Sequence, residues 1–160
     1  MKKLFGLILS VMIFASCLGG SVQAAEDIHP MVHHTYTTTE DFASDEWAVV
    51  QRGAYLMDGT SSIAKPDSKH INISGITNAT QTCDKVRLNL YVERSTSYAT
   101  GYSTYKSYIY SAENAYQLAK EISNISVEKG YYYRVCGVHS VQEGSTIETT
   151  NSVTNPISFL

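Results

Sequence analysis

Cysteines and histidines are the residues of this chain best suited to chemistry beyond packing. Cys83 and Cys136 stand apart, with no CxxC spacing, which makes them poor zinc ligands. In an oxidising compartment, two cysteines in one small domain usually bond. A Cys83–Cys136 disulfide is therefore expected, closing a loop of about 53 residues and restraining the unfolded chain by about 4 kcal/mol. His29, His33 and His34 cluster near one end. Imidazoles this close can hold zinc or copper, but Pro30 breaks any helix that would align His29 with His33, and solvated tail histidines are the favoured reading. His70 and His139 fall on β-prone segments, where either can pair with a carboxylate and His139 reads rather as a structural hydrogen-bonder. The chain has no G-x-S-x-G elbow, and its Asp and Glu residues are scattered. A Ser-His-Asp arrangement is fixed by geometry that spacing does not supply. The expectation is a non-enzyme with no metal and no cofactor.

Aromatic residues supply the candidate recognition surface. Tyr98, Tyr102, Tyr105, Tyr108 and Tyr110 are interleaved with Ser and Thr, and Trp47 adds a larger ring. Tyrosine offers apolar area and a hydroxyl together, which suits a glycan or protein partner. The competing reading is that tyrosine is simply a favoured strand residue.

These groups must be positioned by the chain beyond residue 24, because the residues before it have the marks of an export signal. Lys2 and Lys3 form a basic start, Leu4–Leu18 is an uncharged, mostly apolar run, and Gly19-Gly20 breaks it. Val22 and Ala24 suit the −3 and −1 positions of a signal-peptidase cut. The run is ~15 residues, short of the ~20 that span a bilayer. Residues 1–24 are therefore expected to be a cleaved export signal. Phe14-Ala15-Ser16-Cys17 loosely resembles a lipobox, so a lipid anchor on Cys17 is the alternative localisation. Removing Lys2 and Lys3 leaves ten basic against fifteen acidic residues, a charge of −5. That disfavours nucleic acid and electrostatic binding to anionic lipid. No second long apolar run exists, so no membrane insertion is expected after cleavage.

The rest reads as one domain rich in strands. Residues 25–45 are polar, without sustained period, and are expected to form a flexible arm before a domain at 46–160. Trp47–Val50 reads as the opening strand, and Asp58-Gly59 as a hairpin turn. Ile71 and Ile73 alternate with polar residues. Val86, Leu88, Leu90 and Val92 give the clearest strand, with Arg87, Asn89, Tyr91 and Glu93 on its other face. Tyr105–Ser111, Asn124–Val127, Tyr131–Val141 and one or two strands in Ser145–Phe159 come next. Ala112–Ile122 differs, because Ala115, Leu118, Ala119, Lys120 and Glu121 are good helix formers. It admits one short helix near 112–122. Short strands with turn signals between them point to a single all-β sandwich of immunoglobulin or fibronectin type. The turn Val127–Gly130 before Tyr131-Tyr132-Tyr133 has the shape of a tyrosine corner. If the disulfide joined neighbouring strands, Val86 would face Tyr133 and Leu88 would face Tyr131.

Arg52–Ile63, Ile71–Thr77, Val86–Arg94, Gly130–Val135, Gly137, His139 and Glu148 together resemble a family of small secreted proteins from Gram-positive bacteria that is catalogued only as a domain of unknown function. The likeness spans about residues 47–158. It implies secretion and an all-β domain, and it brings no activity. The expected function is a secreted, non-enzymatic module that binds an extracellular protein, glycan or cell surface. The alternative is a small secreted toxin or bacteriocin-like effector.

Overall fold

A computed structural model describes residues 32–49 and 55–160. The expected export signal at residues 1–24, with Cys17, and His29 lie outside them. The described chain forms eight strands: β1 (Val32–Thr38), β2 (Phe42–Val49), β3 (Leu56–Ala64), β4 (His70–Ser95), β5 (Ser103–Ser126), β6 (Tyr131–Glu143), β7 (Thr146–Val153) and β8 (Ile157–Phe159). All pair antiparallel in one sheet of order β1-β2-β3-β4-β6-β7, with β5 on β4 and β8 on β6. The domain is all-β, a single sheet curled into an open half-barrel.

The curl comes from β4. Its 26 residues would span about 85 Å if straight. The β4–β5 register instead slips between Asn78 and Cys83, and the buried positions change parity just beyond it, between Cys83 and Val86. Ile71, Ile73, Gly75, Thr77 and Ala79 face inward before the slip; Val86, Leu88, Leu90 and Val92 do so after it. The first half pairs with β3 and the second with β6. The two halves face each other across the core, close enough that a Cβ on Gly75 would lie 2.7 Å from Leu90 Cδ2. Glycine at 75 therefore marks a close approach of two layers, not a strand end.

Gly59 makes the same point. Asp58-Gly59 is not a turn but lies inside β3, opposite Thr77 and Asn78. The missing side chain leaves room for the His139 ring.

Two further expectations are corrected. Ala112–Ile122 is not helical: it continues β5, with Ala112 opposite Val86, Leu118 opposite Thr77 and Ile122 opposite Ile73. Helix propensity there is worth a few tenths of a kcal/mol per residue. A helix would strip β4 of a ladder of hydrogen bonds along its edge. The irregularities fall near Asn114 (φ 50°) and Asn124 (φ 58°), and asparagine tolerates the left-handed region better than most residues. The segment expected to be a flexible arm holds β1 and the start of β2. Ala43, Asp45 and Trp47 alternate inward, and the acid at the middle position hides that alternation. The Asp45 carboxylate is buried and accepts Val153 N–H at 2.7 Å. His34 Nδ1 lies 3.2 Å from the same carboxylate, so one side chain ties β1 and β2 to β7.

The corner before β6 forms as expected, and Tyr133 makes it. Its hydroxyl donates to Glu128 O at 3.1 Å and accepts Glu128 N–H at 2.9 Å. Its ring is fully buried and meets Tyr105, Tyr131 and Phe159 edge-on.

Candidate functional site

The tyrosines do not form one surface. Tyr108 and Tyr110 lie opposite Leu90 and Leu88, so they point to the inner face. There, with Tyr105, they pack half-buried against the core. Tyr105 O–H donates to Ser126 O at 3.1 Å, and Lys120 Nζ sits 5.3 Å from the Tyr110 ring. Both contacts join the two halves of β5 across the open side of the curl, so Tyr105 and Tyr110 bridge that opening on the inner face. Trp47 is only 8 % exposed and belongs to the core on β2. A large ring beside a polar segment suggests a surface position, and the inward register of β2 reverses that.

Tyr98 and Tyr102 remain, and the structure adds groups that spacing along the chain concealed. Tyr98 is 56 % exposed in the β4–β5 loop and meets Tyr132 edge-on, 5.6 Å between centroids. Tyr102 O–H donates to Tyr98 O at 2.9 Å. The Arg134 guanidinium covers the Tyr102 ring at 4.0 Å and donates through Nε to Glu93 Oε2 at 2.7 Å. Glu93 and Arg134 are direct neighbours across β4 and β6. Burial pushes the Tyr102 phenol up from its ordinary range, so it stays a neutral donor. Together these make a rigid patch of three rings beside one charged, planar pair. Glu93 and Arg134 are 41 residues apart in sequence, and only the β4–β6 register brings Arg134 and Tyr132 to the loop. Behind the patch, on the inner face, Arg94 lies between Tyr105 and Tyr131, 4.6 and 4.5 Å from their rings, and pairs with Glu128 at 3.0 Å.

His139 is fully buried on the inner face of β6. Its Nδ1 lies 2.9 Å from Thr77 Oγ1 and its Nε2 2.8 Å from Ser152 Oγ; Ser152 is 2.7 Å from Ser61 Oγ. Thr77 gives its own hydroxyl proton to Arg87 O at 3.1 Å. Ser152 likewise gives its proton to Ser61 Oγ, so both hydroxyls turn lone pairs toward the ring, and the neutral imidazole donates its one N–H to one of them. Burial lowers the pKa of this imidazole from 6.5 to about 4. The arrangement is a buried hydrogen-bond network in the core, as expected of a structural histidine. His70 also finds its carboxylate, Asp67, at 2.9 Å on an exposed turn.

The disulfide is contradicted. Cys136 lies opposite Tyr91, eight positions along β4 from Cys83. Eight residues of strand span about 26 Å, whereas a disulfide needs Cα atoms within about 7 Å. Both thiols are free, Cys83 buried and Cys136 half-buried. Burial pushes both up from the ordinary thiol range, with Glu93 adding to the effect at Cys136, and a thiol so shifted is a weak nucleophile. Reduction is therefore expected to leave the intact mass unchanged. A thiol reagent should label Cys136 slowly and Cys83 only after unfolding. A gain of about two mass units on reduction, with no labelling before it, would restore the bond and refute the β4–β6 register.

Among the described residues no group of three or more His, Cys, Asp or Glu is placed to hold a metal ion, and no helix is long and apolar enough to cross a membrane. Of the described carboxylates, Asp45 alone stands beside His34. A family model described as a family of unknown function, DUF6147, matches residues 22–157. No curated protein matches the chain.

Proposed function

The chain belongs to DUF6147, a family of unknown function, and from that premise we propose that it is an exported, non-enzymatic β-module that binds an extracellular protein or glycan through the Tyr98–Tyr102–Tyr132–Arg134 patch. Export rests on residues 1–24, whose basic start, short apolar run and Val22/Ala24 pair suit a signal. Origin in a Gram-positive bacterium rests on the resemblance alone. Binding rests on one observation above the others: Tyr98 holds a large ring out in solvent while Tyr132 and the Tyr102 hydroxyl fix its position. A ring held rigid before contact loses little entropy on binding. The Arg134–Glu93 pair beside it offers planar donors and acceptors to hydroxyls or to a peptide backbone.

The test is binding of the fluorescent mature chain to a glycan array and to intact bacterial cells. Tyr98→Ala and Arg134→Ala are each expected to weaken binding at least about tenfold, the loss typical of a contact residue at the centre of an interface. Both variants should keep the melting temperature of the parent within a few degrees. Undiminished binding by both would remove the patch from the function. Absence of binding to every probe would remove the binding reading itself.

A further inference from the structure

Strand β5 pairs with β4 along all of Ser103–Ser126, and among the described residues its other side pairs with no strand. Long edges of this kind are normally blunted by charge, bulges, proline or a covering segment. The other edges of the sheet carry such devices. β1 is only seven residues long. β7 is tied to β2 through Asp45 and held to Thr38 by Asn155, and Pro156 comes shortly after it. The second half of β5 carries Lys120, Glu121 and the irregularity at Asn124. The first half differs. From Lys106 to Glu113 its register on β4 is unbroken, and between those two residues there is no charge and no proline. At the middle stands Ile109, on the outer face opposite Asn89 and 70 % exposed.

We infer that this edge pairs with the same edge of a second copy, antiparallel, with Ile109 on the two-fold axis. A two-fold axis normal to the sheet keeps each side chain on its own face, so partners must share parity. Centred on Ile109, the segment is self-complementary. Ile109 meets Ile109, Ser107 meets Ser111 and Tyr108 meets Tyr110 across the junction. Lys106 faces Ala112 and Glu113 faces Tyr105, so no like charges oppose each other. Seven to nine residues per strand over a sheet ~10 Å thick bury about 600 Å² in total. That is well below the ~1,200 Å² at which stable complexes begin. The dimer is therefore weak and reversible, populated at high local concentration.

Sedimentation velocity over a concentration series of the purified chain tests this. The weight-average sedimentation coefficient should rise between about 10 μM and 1 mM. Ile109→Lys, which places two like charges on the axis, should abolish the rise. Tyr116→Lys, at a site 63 % exposed on the same strand, should not. Register is read by cross-linking in a Cys136→Ser background. Ile109→Cys should oxidise to a dimer at least about tenfold faster than Tyr116→Cys. Ser107→Cys should cross-link to Ser111→Cys in a mixture but not to itself. A sedimentation coefficient flat to 1 mM would overturn the inference. Equal loss with Tyr116→Lys, or equal oxidation of Ile109→Cys and Tyr116→Cys, would do the same.

Discussion

Gly137→Ala is expected to lower the melting temperature by about 10–15 °C, the largest loss of any single methyl in this protein. The added Cβ would collide with Ser61 Oγ and lie 2.7 Å from His139 Nε2 and 2.8 Å from Ser152 Oγ. Overpacking a core by one carbon typically costs about 1–3 kcal/mol. Here the atoms in the way are the hydrogen-bonding atoms of the network. Moving Ser61, Ser152 or the imidazole aside also leaves buried polar groups unpaired, at about 1–3 kcal/mol more. A total near 4 kcal/mol corresponds to the stated shift in a domain of this size. Gly59→Ala should behave alike, because its Cβ would press on the His139 ring, 2.8 Å from the histidine Cβ. Gly130→Ala is the control: nothing lies within 4 Å of its added Cβ, and only its φ of +89° resists substitution, for about 1–2 kcal/mol. The melts separate crowding from backbone strain. A double-mutant cycle with His139→Ala should recover much of the Gly59→Ala loss, because the crowded ring is gone. If Gly137→Ala and Gly130→Ala melted alike, or the cycle showed no coupling, the two layers would not meet at His139.

The strand pattern is legible in the sequence wherever a strand is half-buried with a regular partner. Val86, Leu88, Leu90 and Val92 alternate cleanly because β6 and the opposite layer bury one face of β4 while the other meets solvent. The pattern fails where tertiary packing assigns a residue an unusual task. Asp58-Gly59 carries the composition of a turn, yet Gly59 is there to admit an imidazole from 80 residues away. Asp45 looks like a surface residue, yet it caps a backbone N–H of β7 inside the curl. Ala112–Ile122 has the local preference of a helix, and β4 overrides it by offering hydrogen bonds along its whole edge. The patch is half legible. Tyr98 and Tyr102 stand in a polar, tyrosine-rich stretch, which is a composition signal. Tyr132 and Arg134 are added by the β4–β6 register, and placing the two cysteines face to face misses that register by eight residues. Cysteine count carries no geometry, so only the register itself can test such a pairing.

Acid should destabilise this protein through His139 before carboxylates protonate in bulk. The unfolded imidazole has an ordinary value near 6.5, and burial lowers the folded value to about 4. Between these two pH values the unfolded chain binds a proton that the folded protein refuses. Stability therefore rises with pH across the window and is fully present above about 6.5. It is lost as the pH falls toward 4. A shift of this size is worth on the order of 3 kcal/mol, and His139 is fully buried, so solvent screens little of it. Asp45 lies opposite Ser61 on β2, and it is already engaged by Val153 N–H and His34. Urea unfolding at a series of pH values should show the loss. His139→Gln retains an amide to bond Thr77 and Ser152 but has no proton to take up. It should be less stable than the parent at pH 7.5 and lose less stability between pH 6.5 and 4, so the two curves converge in acid. Carbon-13 shifts of the His139 ring should keep their neutral values down to about pH 5. A folded-state midpoint near 6.5, or an acid slope unchanged in His139→Gln, would mean that the ring reaches water. The network of Thr77, Ser152 and Ser61 would then not be closed around it.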